Sequence, residues 1–570
     1  MMVALSETPQ LWGLATAQLW RRFRRRVRMG PLYRWRFTGF TPERVLIAPQ
    51  DLRPADPQLA EEFYHGRFAL AGRVVETGGR SPFLVAPPNA AWQNALHNFG
   101  WLRNLRAAGT ELATANARAL LGDWIITHGR SIGGPAWVPE VTAQRIIAWL
   151  QHSSLILAGA DLRAYRQFMR SLAVQVRYLR TVAAVMDDGE EKLRARIALA
   201  FAALALPVAA STSRSARRNL EFELNRQILP DGGHISRNPL AVLELLADLL
   251  PLRQTYASGQ EAPPKALIEA IERMLPALRF FRHHDGSLAL FNGVGATMPE
   301  RVIAVLRHDD IGGLPLIHAA HSGYERLSMD STTIIADTGL APPVTASRDA
   351  HAGCLSFEMS SGRNRYIVNA GVDRYGPPEF RPLARSTAAH STATINDTSS
   401  CRFSSTPGLS TMIGTPIIAG PTKVNIERIE REGMIGFVAN HNGYVRPFGI
   451  FHERQIVLSH NGSVIEGIDS FFAAGRNPLR QTGAEEIVIR FHLHPSVNVS
   501  VDDHGLIILQ VENDDIWMFS STVQPFIEDS LFFAGFRGPV KTRQITLSVN
   551  AANRPEVEWQ FTRTTLGVYG

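Results

Sequence analysis

Two histidines and an amide, His351, Asn369 and His390, fall within the stretch 349–396 of this chain. Imidazoles take up and release a proton near neutral pH, so two of them beside an amide form a set able to do chemistry. A second set follows the glycine-loosened turn Asp231-Gly232-Gly233, where His234, Arg237 and Asn238 come within five residues. Loops carried on a rigid scaffold are where binding groups are usually displayed. Ser236 or Asn238 can also cap the helix that Pro239 opens, whereas His234 and Arg237 are not needed for capping. The loop 285–295, containing Asn292, is placed to face the same cleft.

These groups need elements to position them. Leu355, Phe357 and Met359 alternate with Cys354, Ser356 and Glu358, the period of a half-buried strand. Ser361-Gly362-Arg363-Asn364 supplies turn chemistry, 366–369 reads as the returning strand, and a third strand starts near His390. Three short strands would then bring His351, Asn369 and His390 together. Alternating runs continue after about residue 315, separated by turns such as Asn442-Gly443 and Asn461-Gly462, and predict an antiparallel β-sandwich over 313–570. Before it, Trp92, Leu96, Phe99, Leu102 and Leu105 recur at spacings of three and four, predicting one helix that ends near Gly109. Similar patterns cover 111–128, 138–158, 162–186, 191–206, 213–229, 240–256 and 264–282. Helices of this length with short links pack as antiparallel neighbours. Residues 41–312 are therefore predicted as an (α/α) toroid-like helical array, making the chain multidomain, α then β.

A chain of 570 residues is too long for one core. With 45% hydrophobic and 19% charged residues its composition is that of an ordinary soluble globular protein. Cys354 and Cys401 provide neither a disulfide framework nor zinc-finger spacing, and are expected as buried free thiols. The net charge of +7 is local: eight arginines between Arg21 and Arg36 exceed it, leaving the body near neutral. Trp12, Trp20, Phe23, Tyr33, Trp35 and Phe37 interleave with those arginines in the basic aromatic tract 1–40. A signal peptide fits poorly, because the apolar run 11–19 is short and precedes the arginines. Two readings remain for 12–37: a basic helix on an anionic membrane surface, or a solvated helix whose aromatic residues pack on the next domain. No stretch approaches the ~20 apolar residues of a spanning helix. No nucleic-acid partner is expected.

The motifs, taken in order, resemble the heparinase II/III family of polysaccharide lyases. The resemblance runs through Leu229-Pro230-Asp231-Gly232-Gly233-His234, His351-Ala-Gly-Cys-Leu-Ser-Phe357, Val368-Asn369-Ala-Gly371 and His390-Ser-Thr392, then His452-Glu-Arg454 and Phe491-His-Leu-His494, and covers roughly 90–560. It implies a helical toroid forming a cleft with a sandwich that can carry a metal. The implied ligands are His351, Asn369 and His390, for zinc or another divalent cation. Asp349 stands where the family commonly has a first histidine, and Asn369 where it commonly has an aspartate, so such a metal would be weakly held.

The implied reaction is β-elimination from a uronic-acid-containing acidic polysaccharide, in which the C5 proton leaves and the C4 oxygen is expelled. Charge developing on the adjacent carboxylate must be neutralised, for which Arg237 and Asn238 are suitable types. Arg237, as an exposed loop arginine, would contribute little to stability. A base and an acid must flank the sugar, and His234, His351 and Tyr375 are the candidates. The alternative is a lyase-fold protein that binds or handles cell-envelope polysaccharide without cleaving it, which Asp349 and Asn369 favour. The resemblance places such a protein in the envelope or periplasm; the tract 12–37 also allows the cytoplasmic face of a membrane.

Overall fold

Helices that bury every side and helices that bury one stripe divide the first half of the chain into an inner and an outer layer. Pro139–Gln151, Glu190–Ala205 and Pro239–Ser258 are buried almost all round, as helices at the centre of an array must be. Around them Leu162–Ala183, Ala210–Gln227 and Lys265–Phe280 each turn one face inward. Leu162–Ala183 starts where the Asp161 side chain accepts from the Ala164 N–H at 2.7 Å, a capping bond. The single helix predicted to end near Gly109 is two, Ala90–His97 and Leu102–Ala108. Between them Phe99 takes a φ of +60°, which no α-helix can contain.

In this computed structural model the described residues are 37–564, apart from 130, 310–311, 405–413, 432, 478, 480–484, 504 and 512–514, together with 13, 15–17, 19, 20, 23, 24 and 27. Most of the expected membrane-surface segment 12–37, including Trp12, Arg21, Arg22 and Trp35, lies outside them. Among the described residues no helix is long and apolar enough to cross a membrane.

The second half is two large antiparallel sheets and a two-stranded one, Arg402–Phe403 with Ile417–Ala419, among the described residues. One has eight strands, running from Val424–Arg431 at one edge to Asn498–Val501 at the other. The other has nine, with Phe526–Phe532 at one edge and His318–Ala319 at the opposite one. Their facing sides form one apolar core. Phe357 from the nine-stranded sheet lies parallel to Trp559 of the other, centroids 5.5 Å apart. Gly467 makes room for that indole, since a Cβ there would fall 2.0 Å from its ring. The strand Phe357–Ser361, expected to be half-buried, is buried on both faces. Phe357 and Met359 enter the sandwich core, while Ser360 and Glu358 bond to His283 of the helical half, Ser360 Oγ 2.9 Å from Nδ1 and Glu358 Oε2 3.1 Å from Nε2. The helical core likewise continues into this sheet through Tyr324, Ile335 and Val368.

Arg237 ties the two halves together. Its Nε donates to the Ser322 carbonyl at 2.5 Å, Nη1 to Leu340 at 2.7 Å, and Nη2 to Gly323 at 2.8 Å and to the Asp337 carboxylate at 2.5 Å. The guanidinium lies over the Tyr324 ring, 4.6 Å from its centroid. It reaches these partners through a slot between Gly323 and Gly339, where a Cβ on Gly339 would sit 2.7 Å from the guanidinium carbon. The expectation of an exposed loop arginine at 237 is therefore corrected: the residue is 8% exposed and its donors are spent on the sandwich. Replacing it by alanine strands a buried Asp337 without its counter-charge. We expect Arg237→Ala to lower the unfolding free energy by about 3–5 kcal/mol in denaturant titrations. A loss below about 1 kcal/mol, the range of an exposed pair, would show that the joint does not rest on this residue.

Candidate functional site

The first turns of the inner helices open on one cleft of about 1190 Å³ between the helical array and the sandwich. Glu140 heads Pro139–Gln151, and Glu190 and Glu191 head Glu190–Ala205. Carboxylates are favoured there because they face the positive end of the helix dipole. Asn238 caps Pro239–Ser258, its Oδ1 accepting from the Leu240 N–H at 2.9 Å. The sandwich side contributes Asp349, Arg374, Tyr375 and Arg381. Ala17, from the N-terminal tract, also lines the cleft.

Of the residues singled out from sequence, Ser236, Asn238, Asn292, Asp349 and Tyr375 reach the cleft, whereas His234, Arg237, His351, Asn369 and His390 do not line it. Tyr375 is 49% exposed, with its backbone N–H held by Asp373 at 3.0 Å. His234 is turned into the protein, its Nδ1 2.8 Å from Ser236 Oγ and its Nε2 3.1 Å from Gln227 Oε1. Burial pushes its pKa down to about 4. His351 and His390 do meet: Nδ1 of the first lies 2.9 Å from Nε2 of the second. The loop bearing His351 is fixed by its own N–H, which donates to Asn292 Oδ1 at 3.0 Å. Asn292 in turn donates to the Tyr324 hydroxyl at 2.7 Å, beside the Arg237 joint. His390 is anchored at the other nitrogen, Nδ1 lying 2.7 Å from the Ser386 carbonyl. Burial lowers both imidazoles, His390 to about 4, and His351 further because His390 and Arg385 face it. Both rings are neutral at pH 7.

The trio His351, Asn369 and His390 does not suit a divalent metal as arranged. The two histidines spend facing nitrogens on each other, and the Asn369 Oδ1 accepts from the Ser391 N–H at 3.1 Å. No carboxylate joins them. Glu358 is engaged by His283, Arg365 and the Asn369 N–H, and Asp349 pairs with Arg381. Among the described residues no three His, Cys, Asp or Glu side chains form a metal-holding group. Two buried atoms nearby, His351 Nε2 and Asn369 Nδ2, have no hydrogen-bond partner.

The cleft's charge lies elsewhere, in residues whose types and spacing carry no motif. Arg53 pairs with Asp248 at 2.7 Å and Glu244 at 3.4 Å, and Arg194 with Glu190 at 2.6 Å and Asp248 at 3.3 Å. Arg301 also pairs with Glu244, and Arg103 lies 3.0 Å from Asp51. Burial alone would raise the Glu244 carboxyl, but Arg301, Arg53 and Arg194 outweigh it and hold it well below the usual carboxylate range. Across the cleft Arg348 pairs with Glu191 at 3.3 Å. Among the described residues Glu140 has no ion pair of this kind: burial, then the neighbouring Glu191 carboxylate, pushes it up to about 7 against the lowering pull of Arg194 and Arg374. Neither Glu140 nor Arg374 was visible as a site residue from sequence, because one reads as an ordinary acid in a helix's first turn and the other as an ordinary loop arginine.

Comparison with known proteins agrees with this architecture. The heparinase II/III-like C-terminal domain model matches residues 312–560. FtsZ-localized protein C of Caulobacter vibrioides (strain NA1000 / CB15N) is 30% identical over 535 residues, covering 92% of this chain and 91% of that protein. Among solved structures, heparinase III superposes with a TM-score of 0.71 at 14% identity, over 94% of this chain and 89% of its own. Heparan sulfate lyase HepC from Pedobacter heparinus gives 0.59 at 15% identity, over 96% and 88%. At such identities the structural likeness speaks for the fold alone. With a relative matched over nine-tenths of both chains and the fold shared over nearly its whole length, the chain belongs to the heparinase II/III-like family.

Proposed function

We propose that this protein binds a polysaccharide in the cleft between its helical array and its sandwich, and holds it without histidine-driven elimination. The observation that carries this reading is the burial of the His351–His390 pair and of His234 away from the cleft surface. A general base must come within hydrogen-bond reach of the proton it takes. These imidazoles instead face each other, Ser236, Gln227 and Ser386. Arg237, the group suited to a reacting carboxylate, is committed to Asp337. Asn238, whose oxygen caps a helix, and the exposed Tyr375 line the cleft where a sugar would lie. The name of the Caulobacter relative supports a cell-associated place of work.

Elimination by other groups is the second reading, and one observation favours it. Glu140, with a pKa near 7, and the half-exposed Tyr375 both line the cleft. A carboxyl poised near neutrality and a phenol are suitable proton carriers. A screen of acidic glycans for a new ultraviolet-absorbing double bond separates the readings. We expect binding without that absorbance; if the band appears and Tyr375→Phe removes it, the second reading replaces the first.

Acid stability checks the placement of the histidines independently. His234 and His390 stay neutral in the folded protein until about pH 4, whereas in the unfolded chain they take up protons near 6.5. The unfolded state thus binds more protons between those values, and folding stability falls as pH drops through this window. Each histidine contributes up to about 1.4 kcal/mol per pH unit. Denaturation midpoints at about pH 7, 6 and 5 should fall steadily; an unchanged midpoint would mean that the imidazoles titrate freely.

A last expectation concerns metal. After dialysis against a mild chelator, the protein should retain far less than one zinc per chain. Stoichiometric zinc would show that His351 and His390 separate to admit an ion.

A further inference from the structure

The charges along the cleft restrict the kind of glycan it can take. Arg53, Arg103, Arg194 and Arg301 are neutralised by carboxylates of this chain, and so are Arg348 and Arg381. Among the described residues, Arg374 is the cleft arginine with no carboxylate within ion-pair distance, although its charge is felt by Glu140 and Glu244, and it is exposed. Helix N-termini ordinarily offer anion sites. Here two of the three inner helices that open on the cleft carry their own acids, Glu140, Glu190 and Glu191, and the third is capped by Asn238. A densely sulfated chain would gain little from arginines already paired. To use them it would have to pull them from Asp248 and Glu244, leaving buried carboxylates without counter-charge. It would also run beside Glu140. Next to Arg374, Tyr375 presents an exposed ring and hydroxyl, an amphipathic surface suited to a sugar.

We infer that the cleft selects a sparsely anionic polysaccharide, in which single carboxylates are separated by neutral sugars, and that Arg374 is the residue that meets a carboxylate. The inference rests on the glycan-binding reading above and deepens it. One exposed guanidinium gives one charge-assisted contact, so affinity should depend only weakly on salt.

Calorimetry on the full chain with three hexasaccharides tests this. The first is from hyaluronan, where a uronate alternates with a neutral N-acetylated sugar; the second is the same compound with its carboxylates reduced to alcohols; the third is from heparin. We expect the hyaluronan probe to bind about tenfold more tightly than the heparin probe, a difference worth one charged contact. Arg374→Ala should remove about that factor for hyaluronan and leave the reduced probe unchanged. Thermal unfolding of the variant, expected to match the parent because the side chain is exposed, separates lost contact from lost fold. Tighter binding of the heparin probe, or an Arg374→Ala variant that binds hyaluronan as the parent does, would overturn the charge selection while leaving glycan binding standing. Failure of all three probes to bind would overturn glycan binding itself, and this inference with it.

Discussion

One guanidinium, that of Arg237, fixes how the two halves of this protein meet. It is carried by a turn of the helical array and delivered through a slot between two glycines into the first strands of the sandwich. Taking an arginine and an aspartate out of water is costly, and only near-complete hydrogen bonding offsets it. Asp337 and the carbonyls of Ser322, Gly323 and Leu340 supply that bonding. Tyr324 and Asn292 are built onto the same joint, and Asn292 passes its order on to the His351 loop. Arg237, a residue of the type a reacting carboxylate needs, is thus one that holds the domains in place.

The cleft shows a related economy. Three buried helices must begin somewhere, and their N-termini carry unsatisfied N–H groups and partial positive charge. Glu140, Glu190, Glu191 and Asn238 meet those needs from within the chain. Arginines brought in to balance the carboxylates are consumed in turn, Arg53 and Arg194 sharing Asp248 between them. The cleft surface that remains mixes polar and apolar groups and is asymmetric at Arg374.

Elements with a strong local period were legible in the sequence. The strand Thr332–Asp337 and the helix Leu162–Ala183 follow from alternation and from three-and-four spacing. The hairpin joining Phe357–Ser361 to Asn364–Val368 follows from its turn residues, Gly362 taking a φ of +51°. The meeting of His351 and His390 was legible too, although the strand Ala393–Ile395 pairs with Glu486–Leu493 rather than closing a three-stranded unit with the hairpin. What the sequence could not reveal is direction. Arg237 looks like a displayed loop residue until Asp337, 100 positions away, is seen to receive it. The strand of Glu358 looks half-exposed until the helical half covers its polar side with His283. Both are consequences of packing between domains, and no local pattern encodes them.

The glycine-walled slot has a kinetic consequence. Gly323 and Gly339 let backbone and guanidinium approach so closely that neither domain can rotate without breaking several short bonds at once. Many two-domain binders close on their ligands by hinge bending. Here the hinge position is occupied by a rivet. A closing motion of that kind would have to break all of these bonds together.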